Sequence, residues 1–222
     1  QRLVFHGASP EILYEAHPHI GSDRLPRIIA DIRRQIIASG GEIHFGKRVT
    51  AIKIRNGRVA GIEADGANID TDTVIVATGH SARDIYEMLD DGGVRLEAKP
   101  FAMGVRIEHP QSLIDSIQYH SSEQMEYLPA ASYSLVAQIG GRGVYSFCMC
   151  PGGFIVPAMT DASESVVNGM SPSRRNSSFA NSGFVTEIRL SDFEHLRPKY
   201  GELAGLQFQR ELERAARENG GE

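Results

Sequence analysis

Apolar residues recur at helical spacing over Leu25, Ile28, Ile29, Ile32 and Ile36, so this stretch predicts one amphipathic helix. Ser22 or Asp23 is the expected N-cap, Pro26 falls in the first turn where proline is tolerated, and Gly40-Gly41 is the expected stop. Alternation then replaces helical spacing. Residues 42–45, 49–54 and 59–64 read as a three-stranded antiparallel meander with bends at Asn56-Gly57 and Asp65-Gly66. Residues 74–77 form a continuous apolar run, the pattern of a short strand buried on both faces of a parallel sheet. Ser81 and Asp84 mark the start of a further helix, with Ile85, Met88 and Leu89 facing inward.

From about Pro100 the texture changes to short strands punctuated by Gly, Pro and Ser: 101–108, 132–138, 144–149, 154–157 and 166–168, with a helix at 111–118. A Ser-, Asn- and Arg-rich loop is expected at 171–182, and Leu203, Leu206, Leu212 and Ala216 predict a closing helix. The reading is α/β overall and α+β within this stretch of chain. Its expected divisions are 1–99, a mainly β region at 100–184, and a helical tail at 185–222.

Composition narrows the function classes. The chain has 222 residues, 41% hydrophobic and 23% charged, with a formal net charge of -5, so neither nucleic acid nor an anionic membrane is an expected partner. No apolar run approaches the roughly 20 residues that cross a bilayer, and no signal peptide is visible, so a cytoplasmic location is expected. The two cysteines, Cys148 and Cys150, give no disulfide framework. An extended strand would turn both to one face, where they are either inert or a vicinal redox pair. Gln1 at the start and a helical pattern running out to Glu222 read as cuts in a longer chain.

The ordering of helix, meander, apolar strand and Ala77-Thr78-Gly79 carries the chemistry. From Gly40 to Asp84 the residues GGEIHFGKRVTAIKIRNGRVAGIEADGANIDTDTVIVATGHSARD resemble FAD-dependent oxidoreductases with a two-part dinucleotide-binding fold. HPHIGSDRL, ATGHSARDIYEML, PFAMGVRIEHPQ, YSFCMCPGGFIVPA and NGMSPSRRNSSFANSG resemble more closely the poorly characterised bacterial FAD-dependent dehydrogenases. The resemblance implies part of a Rossmann-like FAD-binding domain with its β-meander, followed by an inserted, mainly β, substrate-facing domain. It implies FAD as cofactor, with Ala77, Thr78, Gly79, His80 and Ser81 near its phosphates and ribose, and Val49 holding the adenine through backbone groups. The alternative for the Ala77-Thr78-Gly79 segment is a plain strand-to-helix turn. A glycine past the end of a parallel strand admits close backbone approach by a dinucleotide. No G-x-G-x-x-G occurs, so the helix terminus that receives the pyrophosphate is expected upstream, and this chain alone is expected to hold FAD poorly.

Other candidates stay open between a site role and a bland one. His17 and His19 either line a site or bond within their loop, with no metal set completed. His80 either touches ribose or phosphate, or caps the next helix. The turn Cys150-Pro151-Gly152-Gly153 either lets backbone approach a flat ligand or is simply a turn. Residues 168–183, with Arg174 and Arg175, are an anion site or a solvated loop. Arg106 and Glu108 are an ion pair, substrate-side or merely superficial. No nucleophile motif is present and no catalytic residue is named, as suits a protein whose cofactor carries the chemistry. The functional expectation is an FAD-dependent oxidoreductase acting on an unidentified small molecule, with NAD(P)H as a donor left open. The alternatives are a tRNA-modifying flavoprotein relative and a non-catalytic binding or assembly module.

Overall fold

The computed structural model describes residues 1–120 and 127–220. In chain order the elements are α1 (Arg2–Phe5), α2 (Leu25–Ala38), β1 (Val49–Arg55), β2 (Arg58–Ala64), β3 (Ala67–Asp70), α3 (Arg83–Asp91), β4 (Phe101–Pro110), α4 (Gln111–Tyr119), β5 (Val136–Ile139), β6 (Arg142–Cys150), β7 (Phe154–Pro157), β8 (Val167–Met170), β9 (Phe179–Ile188), α5 (Arg197–Tyr200) and α6 (Ala204–Gly220). The chain folds into two units. One comprises Gln1–Ile43, Phe101–Met159 and Ser165–Ile188, and the other His44–Pro100, Thr160–Glu164 and Arg189–Glu222. The grouping is not linear along the chain, since α2 belongs with the later strands rather than with the meander that follows it.

The first unit is built on an antiparallel sheet of order β4-β9-β6-β5, with β7 and β8 as a separate pair. Ile28 on α2 is 2% exposed, as the apolar stripe requires. The helix ends where Gly40 takes φ +87° and the Gly41 N–H donates to the Ile36 carbonyl at 2.9 Å. Its N-cap is Arg24, without a side-chain bond. Asp23 is not the cap: its carboxylate accepts the Ser173 N–H at 2.6 Å and the Ser173 hydroxyl at 2.8 Å. The largest departure from the sequence reading is β9. Residues expected in a polar loop form a central strand in which Ala180, Asn181 and Ser182 are each 0% exposed. Small side chains serve there because α4 packs closely on the strand. Ile114, Ala131 and Ala180 form that core, with Tyr119, Tyr133 and Met149 against it.

Strand β6 carries a bulge between Phe147 and Cys150, where Cys148 takes φ +48°. One extra residue reverses the alternation of side chains. The two cysteines therefore do not share a face: Cys148 is exposed and Cys150 buried.

In the second unit β1, β2 and β3 form the antiparallel meander. Its bends are Asn56-Gly57, at φ +52° and +72°, and Asp65-Gly66, at +48° and +76°, the paired positive values of a two-residue hairpin. The expected strand at 42–45 is absent and Phe45 is 74% exposed; the third strand is Ala67–Asp70, which the tight second turn delivers straight to the free edge of β2. The run 74–77 is no strand either. Ile75 is 87% exposed and Val76 46%. A strand exists only through a neighbour that completes its ladder, and no parallel partner is present among the described residues. The tail after β9 begins with short turns, and Phe193, 0% exposed, anchors it with Phe208 at a ring separation of 6.2 Å. Among the described residues no helix is long and apolar enough to cross a membrane.

Candidate functional site

A cleft of about 530 Å³ lies within the second unit, lined by Thr78, Ser81, Ala82, Arg83 and Asp84 around the start of α3, Arg48 before β1, Thr160, Asp161 and Glu164, and Arg210 and Arg214 on α6. Its first part comes from the Ala77-Thr78-Gly79 segment. Gly79 has φ +77°, and a Cβ built on it meets nothing within 4 Å, so the backbone presents an open face. Helix α3 has Ala82 at its N-cap, without a capping side chain; His80 does not cap it but lies with Nε2 3.4 Å from the Ser81 hydroxyl.

Ion pairs fix the cleft walls. Arg83 is 13% exposed and sits between Glu164, 4% exposed and 2.7 Å from Nη1, and Glu213, which accepts from Nη2. The Nη1 contact is an ion pair without hydrogen-bond alignment. Arg48 pairs with Asp84 at 2.7 Å, and Arg210 with Glu87 at 2.7 Å. Asp161 accepts from the backbone N–H and hydroxyl of Ser163, at 2.8 and 2.7 Å. Those bonds, aided by the positive charges of Arg214 and Arg210, hold its carboxyl below the usual range. Each arginine thus has a carboxylate nearby. The cleft carries both charges, and among the described residues its hydroxyls at Thr78 and Thr160 have no partner, while that of Ser81 lies against His80.

Of the residues singled out in the sequence, Thr78 and Ser81 line this cleft, while Val49, Ala77, Gly79 and His80 lie outside its lining. Val49 opens β1, an edge strand of the meander. Ala77, Thr78, Gly79 and His80 are exposed. The residues that sequence reasoning missed, Asp161, Glu164, Arg210 and Arg214, come from two separate stretches, while Arg48 lay within the quoted Gly40–Asp84 run. Arg83 and Asp84 stood inside a quoted motif.

In the first unit the turn Cys150-Pro151-Gly152-Gly153 closes on its own chain. A Cβ on Gly152 would lie 1.7 Å from the Arg175 carbonyl oxygen, and one on Gly153 2.2 Å from that of Met170. At both glycines the chain packs closely on its own backbone. Burial pushes the Cys150 thiol up, away from the thiolate that chemistry needs. His19 is bound within the fold, with Nε2 3.0 Å from the Pro172 carbonyl oxygen. Arg106 and Glu108 do not pair. Arg106 donates to Asn181 Oδ1 at 2.6 Å, and Glu108 accepts the Ile155 N–H at 3.2 Å. Among the described residues no three His, Cys, Asp or Glu gather as a metal site.

Two family models match the chain. Residues 100–222 match "FAD-dependent protein, C-terminal domain-like", and residues 6–121 match "Flavin containing amine oxidoreductase". An uncharacterized protein of Clostridium beijerinckii is 42% identical over 221 residues, covering 99% of this chain. The chain spans 41% of that relative's length.

Proposed function

Because the chain belongs to the family of FAD-dependent proteins with this C-terminal domain, a class whose cofactor is FAD, we propose that it supplies one wall of the FAD site of a larger flavin oxidoreductase. The observation that carries the proposal is the turn at Gly79, whose positive φ and open face lie beside two cleft hydroxyls. Backbone at such a turn approaches a dinucleotide without a side chain intervening. Thr78 and Ser81 are suited to bond ribose or phosphate oxygens, and the edge of β1 at Val49 leaves backbone groups for an adenine. These residues fit one segment of the cofactor. Arg48, Arg83 and Arg210 are already paired with carboxylates and Arg214 stands beside Asp161, so they do not replace a glycine-rich helix terminus as receptor for the pyrophosphate, and that part of the site falls to the remainder of the parent. The exposed run 74–77, with Ile75 at 87%, reads as a strand whose parallel partners are in that remainder, in a Rossmann-like sheet.

When bound, FAD supplies the hydride or electron transfer. The contribution of this chain is to hold the cofactor and, through the first unit, to face the substrate. The parent is expected to act as a dehydrogenase on a small molecule, with NADH or NADPH as candidate donors. A visible spectrum of the purified parent tests this. Flavin absorption that bleaches anaerobically with either nicotinamide supports the reading and names the donor; a colourless parent that takes up no added FAD removes it.

A further inference from the structure

Strands β4, β9 and β6 place Arg106, Gly183 and Phe147 in one cross-strand row of the first unit, with Glu108, Asn181 and Cys150 in the next row on the same face. The guanidinium of Arg106 is half-buried, yet among the described residues all its bonds run through Nη1 and all its acceptors are neutral. They are Asn181 Oδ1 at 2.6 Å, the Cys148 carbonyl at 3.1 Å and Cys150 Sγ at 3.9 Å. Among the described residues no carboxylate pairs with it, since Glu108 is engaged with Ile155. A partly desolvated cation without a counter-ion is costly.

The surroundings are nevertheless shaped to keep it. The Cys148 carbonyl reaches Arg106 from a bulge at φ +48°, a conformation that costs a non-glycine residue roughly 1–2 kcal/mol. Asn181 is 0% exposed and its Nδ2 has no partner among the described residues. Turning that amide over would set two donors face to face, so its orientation is fixed by Arg106. A Cβ on Gly169 would lie 2.1 Å from Arg106 Nη1 and 2.2 Å from Asn181 Oδ1, so β8 closes down on both groups only as glycine. Anchored at Nη1, the guanidinium keeps Nε and Nη2, the edge that matches a carboxylate with two parallel bonds. Through Nη1 the guanidinium reaches across β9 to the Cys148 carbonyl on β6, and the ring of the adjacent Phe147 is 59% exposed.

We propose that Arg106 is the receptor for the carboxylate of a small organic acid whose apolar part lies against Phe147. This assigns a substrate class to the flavoenzyme reading and rests on that reading only for the word substrate, because the binding requires no flavin.

The test titrates benzoate, and separately benzamide, into the 222-residue chain, following the Arg106 Nε–H signal by NMR and the heat by calorimetry. The expected result is saturable benzoate binding that shifts Arg106, with benzamide at least about tenfold weaker, as loss of a charge-assisted bidentate contact implies. Arg106→Gln should lose binding to a similar degree. Arg106→Lys, which keeps the charge, should recover only part of it, and Phe147→Ala should weaken binding without moving the benzoate-to-benzamide ratio. Equal binding of the two ligands, or an unmoved Arg106 signal, overturns the proposal without reference to any variant's folding. In the FAD-loaded parent, benzoate should bind without displacing flavin. Direct competition would assign Arg106 to the flavin and overturn the substrate class, whereas a parent that takes no FAD leaves the titration on the chain standing.

Discussion

Replacing Gly152 by alanine separates two reasons for a glycine at one turn. The residue has φ +52°, and an added Cβ would fall 1.7 Å from the Arg175 carbonyl oxygen and 2.1 Å from its carbon. The left-handed conformation alone costs alanine roughly 1–2 kcal/mol. Forcing backbone away from backbone adds an overpacking penalty of about 1–3 kcal/mol, for a total of about 2–5 kcal/mol. Gly140, in the same unit at φ +57° with nothing within 4 Å of its Cβ position, is the control. Gly140→Ala should show the conformational part only, and the gain from restricting the unfolded chain is common to both. Urea unfolding at unchanged m-value, with each variant's midpoint set against wild type, measures the difference. If the two variants fall within about 0.5 kcal/mol of each other, the limit for an innocuous surface change, the turn is not packed on Arg175 and a ligand role for it reopens.

Glu164→Gln should destabilise the second unit by about 3 kcal/mol, the lower end for a broken buried pair, since Glu213 still faces Arg83; chemical denaturation measures it. The hydrogen bonds from the Ser173 hydroxyl and N–H hold the Asp23 carboxyl below its ordinary value. A depressed folded pKa means stability that is present above the unfolded value near 3.9 and is lost as pH falls through the folded one. Stability curves of wild type and Asp23→Asn should therefore diverge above that window and converge below it, and parallel curves throughout would refute the bond. Phe193→Ala should cost about 3–5 kcal/mol, the usual range for a fully buried ring, read as loss of the tail's amide protection in hydrogen exchange.

Local signals were legible and non-local ones were not. The isoleucine stripe of α2 and the Asn56-Gly57 and Asp65-Gly66 turns are written in neighbouring residues, and the structure carries them where they were expected. Strand β9 was hidden because Ala180, Asn181, Ser182 and Gly183 look like a loop, and only the helix packed on them makes smallness a core property. Residues 74–77 show the reverse failure. Their apolar run is a strand signal, but a strand also needs a partner ladder. In the cleft, Thr78 and Ser81 stood in a motif, whereas Glu164 and Glu213 reach Arg83 from far along the chain. Arg106 was noticed with the wrong companion. Its partners lie 42 to 75 residues away, two of them on β6, where a bulge decides which groups face it.

If the turn at Gly79 forms part of the FAD site, the flavin content of the full-length parent must fall in Gly79→Val. Among the described residues nothing lies within 4 Å of the Cβ position, so within this chain the variant carries only the cost of a branched residue at φ +77°. Wild-type parent is predicted to purify with stoichiometric flavin and the variant to lose at least about tenfold in FAD affinity, about 1.4 kcal/mol, while its circular dichroism stays native. A variant that keeps wild-type flavin content and affinity would place the turn at Gly79 outside the FAD site.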